Sequence, residues 1–274
     1  MTVRIGAHYS VGGSLEQAGR DAHKAGANTL QIFTASPRMW RGSRPSAEAV
    51  KRFSAVRADL DLTPLVVHGN YLVNLASIDD TIRPKSVQAF REELLRCVMI
   101  GVDYLVLHPG NYKDQTVETA IAAVALGIME AAEGVPESKL TLLLENSAGQ
   151  GASVGSRVVE LVAIRSLVEG KVPFAVKYCM DTCHAFAAGL DFIDSCEKLG
   201  FENVPVIHAN DSKSPRGSRV DRHDNIGKGH IGVEHFRQIL AHPELRSKAY
   251  ILETPFEEEG DDARDIATLR ALCG

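Results

Sequence analysis

The sequence predicts an α/β protein, a single (β/α)8 TIM barrel that covers residues 1–274 as one domain. Strand-like and helix-like segments alternate along the whole chain, which is the pattern of parallel βα units. The length of 274 residues suits a barrel of this type, which takes about 250 residues. Six short apolar runs also end in a histidine or an acidic residue. Because such side chains are costly to bury alone, they are expected to meet at one end of a ring of strands.

Eight apolar segments are predicted to be the strands of the barrel. Most of them are too short and too continuously apolar for surface strands, as expected for a parallel sheet that is covered on its outer face. In chain order, the predicted strands are 3–8, 29–33, 64–68, 104–108, 140–145, 175–180, 204–208 and 249–253.

A segment with helical periodicity follows each strand. Ser14 and Ser46 are expected to cap the first two helices at their N-termini, while Gly26 and Gly101 are expected to end the first and third. Right-handed crossovers through these helices would close the sheet. The predicted helices are 14–25, 47–59, 85–100, 117–132, 157–168, 191–199, 233–240 and 263–272.

A doubly wound open sheet is the competing architecture. It would bind its ligand at one switch point, with residues from only two or three strands. Six strand ends that carry metal-binding side chains need a ring instead, which favours the barrel.

The composition is that of a soluble globular protein, with 45% hydrophobic and 24% charged residues. No apolar run approaches the roughly 20 residues needed to cross a bilayer, and the N-terminal segment lacks the pattern of a signal peptide. Five scattered cysteines do not suggest a disulfide framework. We therefore expect a cytoplasmic protein without a membrane partner.

The formal net charge of −5 does not exclude a nucleic-acid partner. It includes the carboxylates of the candidate metal ligands, and three divalent cations would reverse its sign. The local charge near the site therefore matters more than the total.

The candidate metal ligands combine imidazoles with carboxylates, a donor set that suits Zn²⁺ or similar ions. One zinc ion needs about four ligands, so this set fits three ions if carboxylates bridge them. A histidine alone at a strand end is more often a hydrogen-bonded core residue, and only the joint pattern favours metal. Cys179 and Cys183 are interpreted as packing residues. The candidate ligands are His68, His108, Glu145, Asp181, His184, His208, Asp221, His223 and Glu253.

Long motifs in this order resemble those of the endonuclease IV family of zinc-dependent apurinic/apyrimidinic endonucleases. They include HGNYLVNLAS, LVLHPG, LLLENSAGQG, MDTCHAFAAG, ILETP and the long segment that begins HANDSKSPRGSRVDRH. The resemblance implies three zinc ions at the C-terminal mouth of the barrel. His68, His108 and Glu145 would hold the first; Glu145, Asp181, His208 and Glu253 the second; His184, Asp221 and His223 the third.

The resemblance also implies an activity. The expected reaction is hydrolysis of the phosphodiester 5′ to an abasic site, which leaves a 3′-hydroxyl and a 5′-deoxyribose phosphate, together with trimming of blocked 3′ ends. Glu145, shared by the first two ions, is the expected catalytic residue. The expected partner is double-stranded DNA with abasic sites or blocked 3′ ends, and the protein is expected to act as a monomer. Zinc is favoured, with manganese or iron as alternatives at part of the site.

Two basic loops would lie at the same mouth and suit phosphate contacts. Tyr71 is a candidate wedge beside the extruded nucleotide. Taken alone, these residues are better interpreted as solvated charges and a tyrosine that caps the core; beside a mouth that holds several metals, DNA contact is favoured. The loop after the second strand contains Arg38, Met39, Trp40, Arg41 and Arg44, and the loop after the seventh strand contains Lys213, Arg216, Arg219 and Arg222. The DNA-contacting candidates are Arg38, Met39, Trp40, Tyr71, Arg219 and Arg222.

Met39 departs from the family pattern, in which well-known members have glutamine between the arginine and the tryptophan of this loop. A methionine has no amide to offer, but it can fill a gap as a flexible apolar wedge. Lesion recognition is therefore expected to differ in detail, while the metal chemistry is not.

Two other functions fit parts of this pattern. A sugar isomerase or epimerase of the xylose isomerase-like barrel group would use one or two metals and would not need Asp221, His223 or the basic loops. A metal-stabilised protein that only binds damaged DNA would leave the strand intact. Metal content and incision of an abasic duplex separate these alternatives.

Overall fold

The computed structural model describes residues 3–273, and its centre is a closed barrel of eight parallel strands. The strands follow one another around the barrel in chain order, and the last pairs with the first. This arrangement confirms the predicted TIM barrel. The barrel strands are β1 (Arg4–Tyr9), β2 (Leu30–Ile32), β3 (Leu65–His68), β4 (Tyr104–Leu107), β5 (Thr141–Glu145), β6 (Ala175–Asp181), β7 (Val206–His208) and β10 (Ala249–Leu252).

Helices cover the outer face of the sheet. The Ser14 and Ser46 side chains accept hydrogen bonds from the amides of Gln17 and Ala49, and Gly101 ends the third helix with a left-handed φ of 74°. These caps are as predicted. The helices are α1 (Leu15–Lys24), α2 (Ala47–Asp59), α3 (Ile82–Ile100), α4 (Val117–Ala132), α5 (Val158–Val168), α6 (Thr182–Ala187), α7 (Phe192–Leu199), α8 (Val233–Ala241) and α9 (Asp261–Leu272).

The structure adds elements that periodicity did not predict. Helix α6 starts directly after β6, and the Asp181 carboxylate caps it by accepting from the His184 amide at 2.7 Å. A two-stranded antiparallel hairpin, β8 (Asp211–Ser212) and β9 (His223–Asp224), lies in the loop after β7. Helix α3 also begins three residues before the predicted start at Lys85, because Pro84 falls in its first turn, where a missing N–H costs nothing.

The core has two layers. Most buried apolar side chains lie between the sheet and the helices. A smaller cluster takes residues from six strands and fills the inside of the barrel: Val66, Val106, Leu143, Cys179, Val206, Ala249 and Ile251. Gly6 permits the close approach of β1 to the chain before β2, since a Cβ there would lie 1.9 Å from the Thr29 carbonyl oxygen. Within residues 3–273, no helix has the length and apolar character required to cross a membrane.

Candidate metal centre

The strands themselves direct six candidate ligands to the mouth of the barrel. Side chains two residues apart on a strand share a face. Each of these ligands comes two residues after a side chain of the inner cluster, as in Val66 to His68 and Leu143 to Glu145. All six therefore face inward at the C-terminal rim. The same step gives His108 from Val106, Asp181 from Cys179, His208 from Val206 and Glu253 from Ile251.

Glu145 lies between two groups of ligands and is fully buried. Its Oε2 atom is 3.4 Å from His68 Nε2 and 3.2 Å from His108 Nε2. Its Oε1 atom faces the other way and is 2.8 Å from His208 Nδ1. A carboxylate whose two oxygens face different sets of donors has the arrangement of a bridging ligand.

The second group surrounds the Oε1 side of this carboxylate. His208 Nδ1 lies 3.3 Å from Glu253 Oε2. One donor atom each from Glu145, Asp181, His208 and Glu253 lies within 4.8 Å of the other three. These are the four residues expected around a second ion.

The third group is built by α6 and the loop before β9. Asp221 places Oδ2 3.2 Å from His184 Nε2 and Oδ1 3.3 Å from His223 Nε2. His223 Nε2 is also 3.7 Å from Asp181 Oδ2. Asp181 therefore lies between the second and third groups, a position that the sequence did not suggest.

The donor distances fit metal ions. Ligands 2.0–2.2 Å from a tetrahedral zinc ion would be roughly 3.4 Å from each other. The spacings around Glu145 Oε2 and Asp221 are 3.2–3.4 Å. Glu145 Oε2 and His223 Nε2 are buried and form no hydrogen bond with residues 3–273. Buried polar atoms normally have a partner, and a cation between these donors would supply one.

Hydrogen bonds behind three of the histidines fix which ring nitrogen faces the centre. The Nδ1–H groups of His68, His184 and His223 donate to the backbone carbonyls of Gly69, Asn146 and Glu253, at 2.8, 3.0 and 3.1 Å. In each ring Nε2 is then the nitrogen that faces the carboxylates and would offer its lone pair to a metal ion. Metal-binding histidines are typically oriented in this way.

The charges of the centre are strongly coupled. Burial raises the pKa of the Glu145 carboxyl, but His108 and His208 outweigh this effect and hold it well below its usual range. Burial likewise opposes ionisation of Glu253, yet His208 and His68 lower its pKa to about 2. Both carboxylates are therefore ionised at neutral pH and available to a cation.

The thiols near the centre are poorer donors. Cys179 lies in a group with Glu145 and His208, and Cys183 lies in one with Asp221 and His223. Burial raises the pKa of each thiol to about 12. Because metals bind the thiolate, these cysteines fit a packing role better than a ligand role.

The loop after β2 extends beside the centre. Met39 is 59% exposed, Arg38 and Arg41 are exposed, and neither arginine forms a salt bridge within residues 3–273. Trp40 is half-buried and packs against the core, so it also anchors the loop. The Asn70 side chain donates to the Met39 carbonyl at 2.7 Å and ties this loop to the one after β3.

Tyr71 stands over the first group of ligands. It is 61% exposed, and its ring meets those of His68 and Phe33 edge to face, with centroids 5.3 and 5.2 Å away. An exposed aromatic ring held by one buried and one half-buried ring is a suitable rigid wedge.

The basic residues of the loop after β7 differ in their partners. Lys213 pairs with Glu257 at 3.2 Å, and Arg216 donates to the Gly189 carbonyl at 3.1 Å. Arg219 is exposed with a left-handed φ of 55°, and forms no salt bridge within residues 3–273. Arg222 is exposed too, and within residues 3–273 its guanidinium donates to the adjacent Asp221 carbonyl alone, at 2.6 Å. Arg219 and Arg222 are thus the residues of this loop most available to a phosphate.

Comparison with known proteins identifies the family. The family model described as xylose isomerase-like TIM barrel matches residues 20–272. A probable endonuclease 4 from Solibacter usitatus (strain Ellin6076) is 50% identical, over 99% of this chain and 97% of the relative. The chain belongs to the endonuclease IV family. A probable endonuclease 4 from Methanoculleus marisnigri is 39% identical over 99% of each chain.

Solved structures agree with this assignment. Endonuclease IV from Thermus thermophilus has a TM-score of 0.86 and 36% identity, and the match covers 98% of both chains. A D-tagatose 3-epimerase-like protein has a TM-score of 0.73 but only 18% identity, so that likeness shows the barrel fold alone. The resemblance read from the sequence motifs is thereby confirmed.

Sequence reasoning missed the amides that support the candidate ligands. The Asn210 side chain donates to Asp181 Oδ2 at 2.6 Å and accepts from the Glu253 amide at 2.8 Å. The Asn146 side chain accepts from the Asp181 amide at 2.6 Å. Asn146 directly follows the ligand Glu145 in the sequence, and Asn210 follows His208 by two residues. A polar residue beside a strand-end ligand was the signal that could have identified them.

Proposed function

We propose that this protein is a DNA-repair endonuclease that hydrolyses the phosphodiester 5′ to an abasic site by means of three bound metal ions. The proposal depends above all on the position of Glu145, whose two oxygens face separate groups of imidazoles. A bridging carboxylate favours a pair of neighbouring ions, and such pairs are suited to in-line displacement at phosphorus. Membership of the endonuclease IV family supports the same reaction.

Each of the three donor groups is proposed to hold one ion. When bound, divalent ions such as zinc would activate water and stabilise the charge that develops on the phosphate. The protein's own contribution is to hold these donors in fixed positions on rigid strand ends. The proposed sets are His68, His108 and Glu145; Glu145, Asp181, His208 and Glu253; and His184, Asp221 and His223.

The exposed loops would bind duplex DNA around this centre. Arg38, Arg219 and Arg222 would contact backbone phosphates. Tyr71 and Met39 would occupy the space left by an extruded abasic nucleotide, because both are exposed and border the ligands or their loops. The same centre would trim blocked 3′ ends, where a phosphodiester occupies the equivalent position.

A sugar isomerase remains the second candidate from the sequence, but no feature of the site favours it. Asp221 and His223 form a third donor group that a site with one or two metals does not need. The unpaired arginines around the mouth likewise suit a polyanion better than a neutral sugar.

The deciding experiment measures incision of a defined abasic duplex and metal content on the same sample. We expect close to three ions per chain and incision that a chelator abolishes. The incision activity of Glu145→Gln should be lower by roughly a thousand-fold or more. Glu137→Gln is the matched control, because Glu137 is exposed and has no salt bridge within residues 3–273.

Three results would reject the proposal. Incision by metal-free Glu145→Gln protein would exclude the metal mechanism. Fully loaded protein that binds the abasic duplex without cutting it would indicate a binding protein. A single ion per chain together with ketose isomerisation would favour the sugar enzyme.

A further inference from the structure

Gln31 is a fully buried amide under the second group of ligands. It lies on β2, in the middle of the apolar run TLQIF, where a polar side chain is unexpected. Its Oε1 atom is 2.9 Å from His208 Nε2, and its Nε2 atom is 2.6 Å from Glu253 Oε1. One side chain thus contacts two residues that we assign to the same ion.

The orientation of this amide follows from its neighbours. A carboxylate can only accept, so the NH₂ group of Gln31 must face Glu253. The second hydrogen of that group points to His8 Nδ1, 3.1 Å away. The carbonyl oxygen is then left for His208, whose Nε2 must carry a hydrogen in order to donate to it.

His208 differs from the three histidines that are oriented by backbone carbonyls. Its ring is reversed, so that Nδ1 rather than Nε2 faces the carboxylates Glu145 and Glu253, at 2.8 and 3.3 Å. Its supporting acceptor is a side chain, and within residues 3–273 Gln31 Oε1 is the hydrogen-bond partner of Nε2. The tautomer of His208 therefore depends on the side chain of Gln31, which a substitution can remove.

We propose that Gln31 is a positioning residue that fixes His208 in the Nε2–H tautomer and holds Glu253 beside it, so that both present free lone pairs to the second ion. This inference rests on the proposed metal centre. Gln31 is fully buried, and within residues 3–273 its side chain hydrogen-bonds to His208, Glu253 and His8, so we expect its effect to reach the reaction through the two ligands. Supporting hydrogen bonds of this kind are typically worth about 10- to 100-fold in metal affinity.

Gln31→Met tests the proposal, because methionine has a similar length but offers the ring neither acceptor nor donor. We expect zinc at one site to dissociate into a chelating dye about 10- to 100-fold faster than in the unmodified protein, without DNA present. We also expect kcat for abasic-site incision to fall while KM for DNA stays unchanged. Gln31→Glu keeps an acceptor for His208 Nε2 but replaces the donor to Glu253 with a second carboxylate. It should therefore restore the Nε2–H ring signal in ¹⁵N spectra of the zinc-loaded protein, while zinc release stays faster than in the unmodified protein.

Thr29→Val is the matched control. Thr29 lies two residues earlier and is equally buried. The valine variant loses the Thr29 hydrogen bond to the Pro64 carbonyl, and within residues 3–273 the Thr29 side chain forms no hydrogen bond with a candidate ligand. This variant should lose stability without faster zinc release. If the unmodified protein binds zinc, and Gln31→Met releases it at the same rate with an unchanged His208 tautomer, the role of Gln31 is overturned while the proposed centre stands. Unmodified protein that binds no metal would overturn the proposed centre as well.

Discussion

At the scale of single residues, burial and neighbouring carboxylates together set the protonation of the imidazoles in the centre. His184 and His223 are both buried, which by itself lowers an imidazole pKa, yet Asp181 and Asp221 reverse this effect. The pKa of His184 rises to about 10 and that of His223 to about 9. In the metal-free protein both rings therefore hold an extra proton at neutral pH and partly neutralise the buried carboxylates.

These protons must leave when a metal binds, so zinc affinity should increase with pH. Because both pKa values are raised above neutrality, each ring is protonated at pH 7 and loses one proton on binding, which makes the affinity climb between about pH 6 and 8. Calorimetric titration in two buffers of different ionisation enthalpy counts the released protons. His184→Gln should release about one proton fewer. Zinc binding without proton release would contradict these assignments.

At the scale of elements, the barrel strands place six ligands, while the loop after β7 must be held by other means. Asp211 performs this task from a fully buried position next to β7. Its carboxylate accepts from the amides of Ser212, Gly227 and Ile231 at 2.8–2.9 Å. One carboxylate thus clamps both ends of the loop that carries Asp221 and His223.

Asp211→Asn should loosen this loop. The new NH₂ group would face backbone N–H groups and leave at least one unpaired, at a cost of about 1–3 kcal/mol. We expect lower stability in denaturant, faster proteolysis within residues 213–231 and earlier loss of one metal per chain. Asp59→Asn on the exposed face of α2 serves as the control and should change stability by less than about 0.5 kcal/mol. An unchanged proteolysis rate in Asp211→Asn would refute the clamp.

At the scale of the whole molecule, the metal centre connects strands from most of the barrel circumference. The hydrophobic layers do not depend on it, because the inner cluster lies beneath the ligands and the outer layer lies under the helices. We therefore expect bound ions to add stability to a barrel that its core already forms.

Metal removal should lower the melting temperature without unfolding the barrel. Free metal at 100 times its Kd contributes about 2.7 kcal/mol per site, which corresponds to roughly 5–10 °C for a chain of this length. Circular dichroism of chelated protein should keep its helical signal at 25 °C, with an earlier thermal transition. Identical transitions with and without metal would mean that the donors bind no ion in the folded state.

Much of this protein follows from local sequence. Short apolar strands, capped helices and their alternation specify the barrel, because period and capping are local properties. Candidate ligands such as His68 and Glu253 could be identified because each ends such a strand. Helix α6 and the β8–β9 hairpin could not, since α6 has only six residues, too few to show a helical period, and the hairpin pairs residues that are far apart in the loop.

The sequence alone determined the family and the fold and predicted the set of donors, because these depend on residue types and their order. Only the tertiary structure decided that Asp181 lies between two donor groups and which ring nitrogen each histidine presents. Those properties arise from contacts between strands distant in sequence, such as Gln31 with His208 or Glu145 with His68. No local pattern contains such contacts, because barrel closure creates them.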